Sequence, residues 1–185
     1  MNESQFRSIR STVAILGGGP SISEAIVDAV LWSRAYVIAI NDVWKLAPDA
    51  DVLFACDVKW WQAHPEAALF RGKRFVCQDN PRISYAKYLP PHPIGSGSNS
   101  ALQAAYWAAG QGAQKIVLFG IDLRPDELTH WHGQHADRNP TVNTFARARK
   151  AWADFAAKTE CEVVNCSARS ALECFPKATI EDALA

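Results

Sequence analysis

The sequence lacks an excess of charge of either sign, because 19 lysine and arginine residues balance 19 aspartate and glutamate residues. This balance argues against a general nucleic-acid-binding or anionic-membrane-binding surface, while a local basic rim stays compatible with it. The chain also lacks a run of about 18 apolar residues and the apolar N-terminal segment of a signal peptide. We therefore expect a cytoplasmic protein that does not cross a membrane.

The cysteines are odd in number and scattered along the chain, which bears on two further classes of protein. An odd number of cysteines without a C-x-x-C pair argues against a disulfide framework and against a zinc knuckle. We therefore predict free, buried thiols. The five cysteines are Cys56, Cys77, Cys161, Cys166 and Cys174.

The length and apolar content of the chain are sufficient for one folded domain. Its 185 residues are 49% apolar, which allows one sizeable core without covalent cross-links. We interpret residues 1–185 as a single domain, and formation of a homo-oligomer is compatible with this composition.

Short apolar runs alternate with segments of helical periodicity. Runs rich in β-branched residues that end in glycine or polar residues are typical of buried parallel strands. The predicted strands are 12–16, 35–40, 51–55, 74–77, 115–120 and 161–165. The predicted helices are one capped by Ser21 in a box with Glu24, one over 60–70, one capped by Ser98 or Ser100, one over 141–159, and two short pieces around Pro176.

This alternation predicts an α/β fold, with a doubly wound, mostly parallel sheet of about six strands and helices on both faces, of the Rossmann-like type. In such sheets, ligands bind outside the carboxyl ends of the strands. The proline-rich residues 80–97 form a long connection that we interpret as a lid. We expect Trp60, Trp61 and Trp131 beside the site rather than in the core, where they could stack on a planar ligand.

The first predicted strand ends in a glycine-rich turn, G-G-G-P-S at residues 17–21. Residues without side chains let a phosphate approach the backbone, and the helix start that follows favours negative charge. The third glycine of the dinucleotide fingerprint is missing, and so is the lysine of a P-loop. We predict a phosphate cradle, with a plain tight turn as the alternative. Its residues are Gly17, Gly18, Gly19 and Ser21.

A second glycine- and serine-rich run, residues 95–100, also precedes a predicted helix. Here we predict that Ser96, Gly97 and Ser98 contact a phosphate, and the alternative is a flexible loop with an ordinary helix cap. Two such cradles at one edge of the sheet would suit a diphosphate, or a nucleotide and a second anion.

Short polar side chains follow three of the predicted strands. Asn41, Asp57 and Asp122 stand where a side chain could hold a ribose, a base edge or a metal. The alternative for each of them is local hydrogen bonding in the loop.

The segment T-H-W-H-G-Q-H-A-D at residues 129–137 contains three of the five histidines. Histidine titrates near neutral pH and serves as general acid, general base or metal ligand. We predict His130, His132 and His135 as catalytic or substrate-contacting residues. A metal site of imidazoles with a carboxylate is one alternative, and histidines without a role in an exposed loop are the other.

Taken together, these segments resemble a Rossmann-like group that includes the small bacterial sialyltransferases and the archaeal-type 6-hydroxymethylpterin pyrophosphokinases. The shared features are the G-G-G-P-S turn, Asn41, the Ser96-Gly97 helix start and the pattern K-I-x-L-x-G-I-D that ends at Asp122. Over nearly its whole length the chain looks closest to short phage and prophage proteins of unassigned function. The phrases that carry this likeness are F-A-C-D at 54–57, H-W-H-G at 130–133 and N-C-S at 165–167.

These resemblances imply different ligands. The likeness to sialyltransferases implies a CMP-sugar donor at the glycine turn and Asn41, with a histidine after the fifth predicted strand as general base. The likeness to pyrophosphokinases implies ATP with magnesium, a pterin-like acceptor, and aspartates at strand ends, for which Asp57 and Asp122 are the candidates. The phage likeness implies a protein in the host cytoplasm.

Three hypotheses of function follow. The first is a nucleotide-dependent transferase that moves a glycosyl group from a CMP- or UDP-type sugar donor to a hydroxyl, with a histidine of the 130–135 segment as base and Asp122 among the catalytic candidates. The second is ATP- and magnesium-dependent pyrophosphoryl or phosphoryl transfer. The third is a non-catalytic module that sequesters a nucleotide. The cofactor stays open, and a divalent cation, Mg²⁺ or Mn²⁺, is compatible with the pattern.

Overall fold

The computed structural model describes residues 9, 11–93, 99–125, 131 and 142–185, and these contain one sheet of seven strands with five α-helices. The strands are β1 (Thr12–Leu16), β2 (Tyr36–Ile40), β3 (Val52–Phe54), β4 (Lys73–Val76), β5 (Lys87–Tyr88), β6 (Lys115–Phe119) and β7 (Glu162–Asn165). The helices are α1 (Glu24–Trp32), α2 (Val58–Ala63), α3 (Ser100–Gly110), α4 (Val142–Ala156) and α5 (Ile180–Leu184). Short 3₁₀ segments cover Asn41–Lys45 and Pro65–Leu69.

The sheet has the strand order β5-β4-β3-β2-β1-β6-β7, and every neighbouring pair is parallel. The chain adds strands outward from β1 to β5, and then returns through α3 to place β6 on the other side of β1. The strand order therefore reverses between β1 and β6, and the crevice at the carboxyl ends of these two strands is the topological switch point of the sheet. The predicted α/β, doubly wound fold is confirmed.

Helices cover both faces of the sheet because successive strand residues point to opposite sides. On β1, Ala14 and Leu16 pack with the buried residues of α1, α2 and α5, whereas Val13 and Ile15 pack with those of α3 and α4. All four of these β1 side chains are fully buried. Each fully buried valine, leucine or isoleucine side chain stabilises the fold by roughly 1.5–3 kcal/mol, so β1 contributes to the core on both faces of the sheet.

Two helices begin at residues other than those predicted. Helix α1 begins at Glu24 and is capped by Ser23, whose hydroxyl accepts the Ile26 N–H, so the predicted cap at Ser21 is wrong. Helix α3 is capped by Asn99, whose side chain accepts the Leu102 N–H, so Ser100 is its first residue and not its cap. Both true caps have the extended backbone that a capping residue needs.

Three other predictions of secondary structure were also wrong. The single helix predicted over 60–70 is interrupted at Pro65, because proline has no N–H and its ring blocks the preceding turn, and α2 ends at Ala63. The proline-rich connection contains a strand, β5. In the tail, all of which is described, the structure has one helix, α5, rather than the two predicted pieces around Pro176. Lys177 forms an isolated β-bridge with Asn165.

Among the helices of the described residues, none is both long enough and apolar enough to span a bilayer.

Candidate functional site

A cleft of about 200 Å³ opens at the switch point. The turns that follow β1, β2 and β6 form its floor, and the first turns of α3 and α4 complete its walls. This is the edge at which ligands are expected in an open parallel sheet. Its lining residues are Gly17, Gly18, Gly19, Ile40, Asn41, Asn99, Ser100, Ala101, Gly120, Ile121, Asp122, Leu123, Thr144, Phe145 and Ala148.

The glycines of the first turn allow two loops to pack closely on each other. The Gly17 N–H donates to the Phe119 carbonyl at 2.7 Å, and the Gly19 N–H donates to the Gly120 carbonyl at 2.8 Å. A Cβ atom on Gly19 would lie 2.3 Å from Oδ2 of Asp122 and 2.7 Å from the Gly120 carbonyl oxygen. The absence of side chains is therefore required by the neighbouring loop, whether or not a ligand also approaches.

The carboxylate of Asp122 faces the same turn. Its Oδ2 atom accepts the Ser21 N–H at 2.8 Å, and the residue is 3% exposed. Within the described part of the chain, Oδ1 of Asp122 and Oγ of Ser21 are buried and have no hydrogen-bond partner. A carboxylate is itself an anion at this turn. A phosphate that bound the Ser21 N–H would have to displace it.

The start of α3 presents a second group of N–H donors to the cleft. The first N–H groups of a helix have no partner within the helix, and those of Ser100 and Ala101 belong to residues that line the cleft. The hydroxyl of Ser100 accepts the Cys56 N–H at 3.1 Å, which ties the helix start to the end of β3. The helix dipole adds partial positive charge here. This helix start can receive an anion without displacing a protein carboxylate.

Two of the lining residues other than glycine have a positive φ. Asn41 has φ 48° and Leu123 has φ 49°. Asparagine tolerates this region, but a leucine there costs roughly 1–2 kcal/mol. The carbonyl of Leu123 accepts a hydrogen bond from Nη1 of Arg149 at 2.8 Å, which helps to hold the conformation. Strain of this kind often concentrates at functional sites, and no sequence pattern indicated it at Leu123.

Buried polar groups support the turn that carries Asp122. The Ile121 N–H donates to Oγ of Ser167 at 2.9 Å, and the Ile121 carbonyl accepts from Oγ of Ser170 at 2.7 Å. Oδ1 of Asn165 in turn accepts the Ser167 N–H at 2.9 Å. The phrase N-C-S at 165–167 is thus a structural support for the cleft, a role that the sequence did not reveal.

The three polar residues predicted at strand ends do not meet. Asn41 and Asp122 both line the cleft, but Asp57 does not. Asp57 is exposed and caps α2, with Oδ1 accepting the Lys59 N–H at 2.9 Å. A magnesium site built on Asp57 and Asp122 together therefore does not fit this arrangement. The described ranges contain no cluster of three histidine, cysteine, aspartate or glutamate residues that could hold a metal.

Several predicted site residues lie outside the described residues. They are Ser96, Gly97, Ser98, His130, His132 and His135. Trp131 is described, and its N–H donates to the Gly18 carbonyl at 3.0 Å. Its indole packs against the core on the α1 face of the sheet. One residue of the histidine-rich segment therefore contacts the glycine turn.

The expectation that Trp60 and Trp61 both lie outside the core was wrong for Trp61. That side chain is fully buried, and its indole N–H donates to the Ala55 carbonyl at 2.8 Å. Trp60 is half-buried and stacks on the ring of His64, with centroids 4.4 Å apart. Neither tryptophan is among the residues that line the cleft.

Asp42 is the centre of a polar cluster next to Asn41. Its Oδ1 atom lies 2.9 Å from Nζ of Lys45 and 3.0 Å from Nε2 of His64, and its Oδ2 atom accepts the indole N–H of Trp60 at 3.1 Å. Burial raises the pKa of Asp42, but the hydrogen bonds from Lys45 and Trp60, with the positive charge nearby, outweigh it and lower the pKa below its usual value. The cluster fixes the segment that follows β2.

No protein-family model, curated protein or solved structure matches this chain.

Proposed function

We propose that this protein is a nucleotide-dependent transferase that moves a glycosyl group from a CMP- or UDP-type sugar donor to a hydroxyl acceptor. One observation supports the proposal more than any other: the start of helix α3, Asn41 and the buried carboxylate of Asp122 line one cleft at the switch point. A nucleotide-sugar has matching groups, because it carries phosphate oxygens that accept hydrogen bonds and sugar hydroxyls that donate them.

The two kinds of group lie on different sides of the cleft. Ser100 is tied to the end of β3, whereas Asp122 follows β6, and β2 and β1 stand between those strands. We therefore assign the donor phosphate to the start of α3 and a sugar hydroxyl to Asp122 and Asn41. The cleft of about 200 Å³ is smaller than the roughly 300–1,000 Å³ of a typical ligand pocket. It accounts for a phosphate and one sugar, and the rest of the donor would extend outward.

In the proposed reaction, the acceptor oxygen bonds to the anomeric carbon of the donor as the bond from that carbon to the phosphate oxygen breaks. The phosphate leaves with the bonding electrons, and the acceptor proton passes to a base on the protein. Helix N–H groups stabilise the charge that develops on the leaving phosphate. The candidate bases are Asp122, whose Oδ1 has no partner among the described residues, and His130, His132 and His135.

Thermal unfolding with a ligand panel is the first test. The panel contains CMP, CDP, UDP, CMP- and UDP-sugars, ATP and GTP, each with and without Mg²⁺ or Mn²⁺. A ligand at a hundredfold excess over its dissociation constant stabilises the folded state by about 2.7 kcal/mol, so we expect CMP or UDP compounds to raise the unfolding temperature. Stabilisation by ATP only with Mg²⁺ would replace glycosyl transfer with phosphoryl or pyrophosphoryl transfer. No stabilisation by any nucleotide would refute the proposal.

Two substitutions at one position test the assignment of the phosphate. Ser100→Ala removes the hydroxyl, whereas Ser100→Pro removes the hydroxyl and the N–H. Proline is well tolerated at the first position of a helix, and the extended backbone of Asn99 before it is compatible. A charge-assisted hydrogen bond contributes about 1.5–3 kcal/mol, so the proline variant should bind the donor roughly 10–100-fold more weakly than the alanine variant. Equal affinities would move the phosphate elsewhere.

Turnover of the donor tests the base. The variants are Asp122→Asn, His130→Ala, His132→Ala and His135→Ala, assayed for release of the nucleotide from the donor. We expect at least one of them to bind the donor but to lose turnover. Unchanged turnover in all four would refute the assignment of the base. Tight binding by the wild-type protein with no product from any acceptor would instead identify a sequestering module.

A further inference from the structure

Two cysteines face each other at the carboxyl ends of neighbouring strands. Phe54, the last residue of β3, pairs with Phe75 of β4, and the same register continued by two residues brings Cys56 next to Cys77. The two segments stay hydrogen-bonded beyond the end of β3, because the Cys77 N–H donates to the Cys56 carbonyl at 3.2 Å. The two Sγ atoms are 2.8 Å apart and hydrogen-bonded. No spacing motif links these residues in the sequence.

This register satisfies the geometric requirement of a disulfide. Neighbouring strands are about 4.8 Å apart, and the Cα atoms of disulfide-bonded cysteines are usually about 4.4–6.8 Å apart. With the two Sγ atoms 2.8 Å apart, a small movement of the side chains brings them to the roughly 2.05 Å of a disulfide bond. The thiols of Cys161 and Cys166 instead donate to backbone carbonyls, those of Ala113 and Thr179.

We propose that Cys56 and Cys77 are a reversible dithiol–disulfide site that a peroxide oxidises. Both thiols are free and lie side by side in the structure. In a reducing compartment the pair stays reduced, and an oxidant closes it. Neither cysteine lines the cleft, and this proposal does not depend on the proposed function.

The hydrogen bond between the thiols assigns a role to each. It lowers the pKa of Cys77, which accepts the bond, although burial acts in the opposite direction. The same bond, together with burial, raises the pKa of Cys56, which donates it. In the proposed site Cys77, the acceptor of the bond, reacts first as the thiolate, and Cys56 is the resolving thiol.

The chemistry proceeds in two balanced steps. The Cys77 thiolate attacks one oxygen of the peroxide, which breaks the O–O bond and gives a sulfenic acid on Cys77 and a hydroxide ion. The hydroxide takes up the proton that Cys77 released. The Cys56 sulfur then attacks the Cys77 sulfur, and the sulfenic oxygen leaves as water with the Cys56 proton. In total, two thiols and one hydrogen peroxide give one disulfide and two water molecules.

The site is connected to the cleft through one hydrogen bond. The Cys56 N–H donates to Oγ of Ser100, the first residue of α3.

Cys77 is 6% exposed, so an oxidant little larger than water is the suitable probe. Hydrogen peroxide meets that requirement.

Mass spectrometry of the full-length protein tests the proposal. The reduced protein is treated with hydrogen peroxide, the oxidant is removed, the remaining thiols are blocked with N-ethylmaleimide in denaturant, and the intact mass and proteolytic peptides are measured. We expect an intact mass lower by two hydrogens before blocking, a cross-link between the peptides of Cys56 and Cys77, and full recovery with dithiothreitol. Cys161 and Cys166 should still take up the blocking reagent. If Cys56 and Cys77 are both blocked after oxidation, or either is cross-linked to another cysteine, the proposal is wrong.

Single substitutions separate the two roles. Cys56→Ser should leave a sulfenic acid on Cys77 that reacts with dimedone when the oxidised protein is unfolded in the presence of that reagent, whereas Cys77→Ser should remove dimedone labelling from the pair. Cys174→Ser is the matched control, because Cys174 is exposed and should not affect the disulfide. Circular dichroism confirms that each variant is folded. Labelling of Cys56 rather than Cys77 would overturn the assignment of roles, and the wild-type experiment would still decide whether the disulfide forms.

Discussion

The close approach of the two loops at the switch point can be tested by adding one methyl group. In Gly19→Ala the new Cβ would lie 2.7 Å from the Gly120 carbonyl and 2.3 Å from Oδ2 of Asp122. Rotation of Asp122 relieves the second contact but gives up the hydrogen bond to Ser21, which contributes about 1.5–3 kcal/mol. The backbone contact adds the cost of overpacking, about 1–3 kcal/mol. We therefore expect the free energy of unfolding to fall by about 2.5–6 kcal/mol.

Urea unfolding monitored by tryptophan fluorescence measures this loss. The matched control is Gly110→Ala at the exposed end of α3, where nothing lies within 4 Å of the added Cβ. Removing the flexibility of that glycine should stabilise the protein by about 0.4–1 kcal/mol, a change of opposite sign. In the double variant of Gly19→Ala with Asp122→Ala the hydrogen bond is lost only once, so the total cost should be less than the sum of the single costs. A loss below about 1 kcal/mol in Gly19→Ala would refute the reasoning.

Two further substitutions test the polar groups around the cleft. Asp42→Asn should lower the free energy of unfolding by about 2–4 kcal/mol at neutral pH. The asparagine amide has only one acceptor oxygen, so its NH₂ group would face another donor, either Trp60 or the pair Lys45 and His64. The pKa of Asp42 is lowered in the folded state, so this contribution is present above its usual pKa of 3.8 and is lost as the pH falls further. In urea titrations, the free energies of unfolding of Asp42→Asn and the wild type should converge in acid. The control Asp49→Asn, at an exposed position, should match the wild type at every pH. Equal stability of Asp42→Asn and the wild type at pH 7 would contradict this reasoning. Ser167→Ala should cost about 1–3 kcal/mol in thermal unfolding, because the buried N–H of Ile121 loses its acceptor, and an unchanged transition would show that it finds another.

The strands could be predicted from the sequence to the extent that burial governs them. The central strands are covered on both faces, so they appear as continuous apolar runs, and the predicted strand 115–120 corresponds to β6 (Lys115–Phe119). Strand β5 has no such signal, because Lys87 and Tyr88 are both exposed and are placed only by backbone pairing with β4. Its existence depends on a neighbour that local sequence does not specify.

The candidate site was predicted in position more than in detail. The glycine turn, Asn41 and Asp122 were singled out because they follow strands. Of these residues, Gly17, Gly18, Gly19, Asn41 and Asp122 line the cleft, whereas Ser21 does not. The contact between Asp122 and the Ser21 N–H joins residues 101 positions apart, so no local pattern could show that a carboxylate already faces the turn. The pairing of Cys56 with Cys77 depends on strand register for the same reason.

The position of β1 between β2 and β6 has a consequence for the order in which the protein can assemble. One edge of β1 pairs with β2, which follows soon along the chain, but the other pairs with β6, where Thr12 meets Lys115. During synthesis, β1 to β5 emerge while that second edge is still open, and an open edge of a buried, apolar strand is a template for association with other chains. Contacts between residues so distant in sequence also slow folding. The nascent chain therefore remains vulnerable to aggregation until β6 joins the sheet.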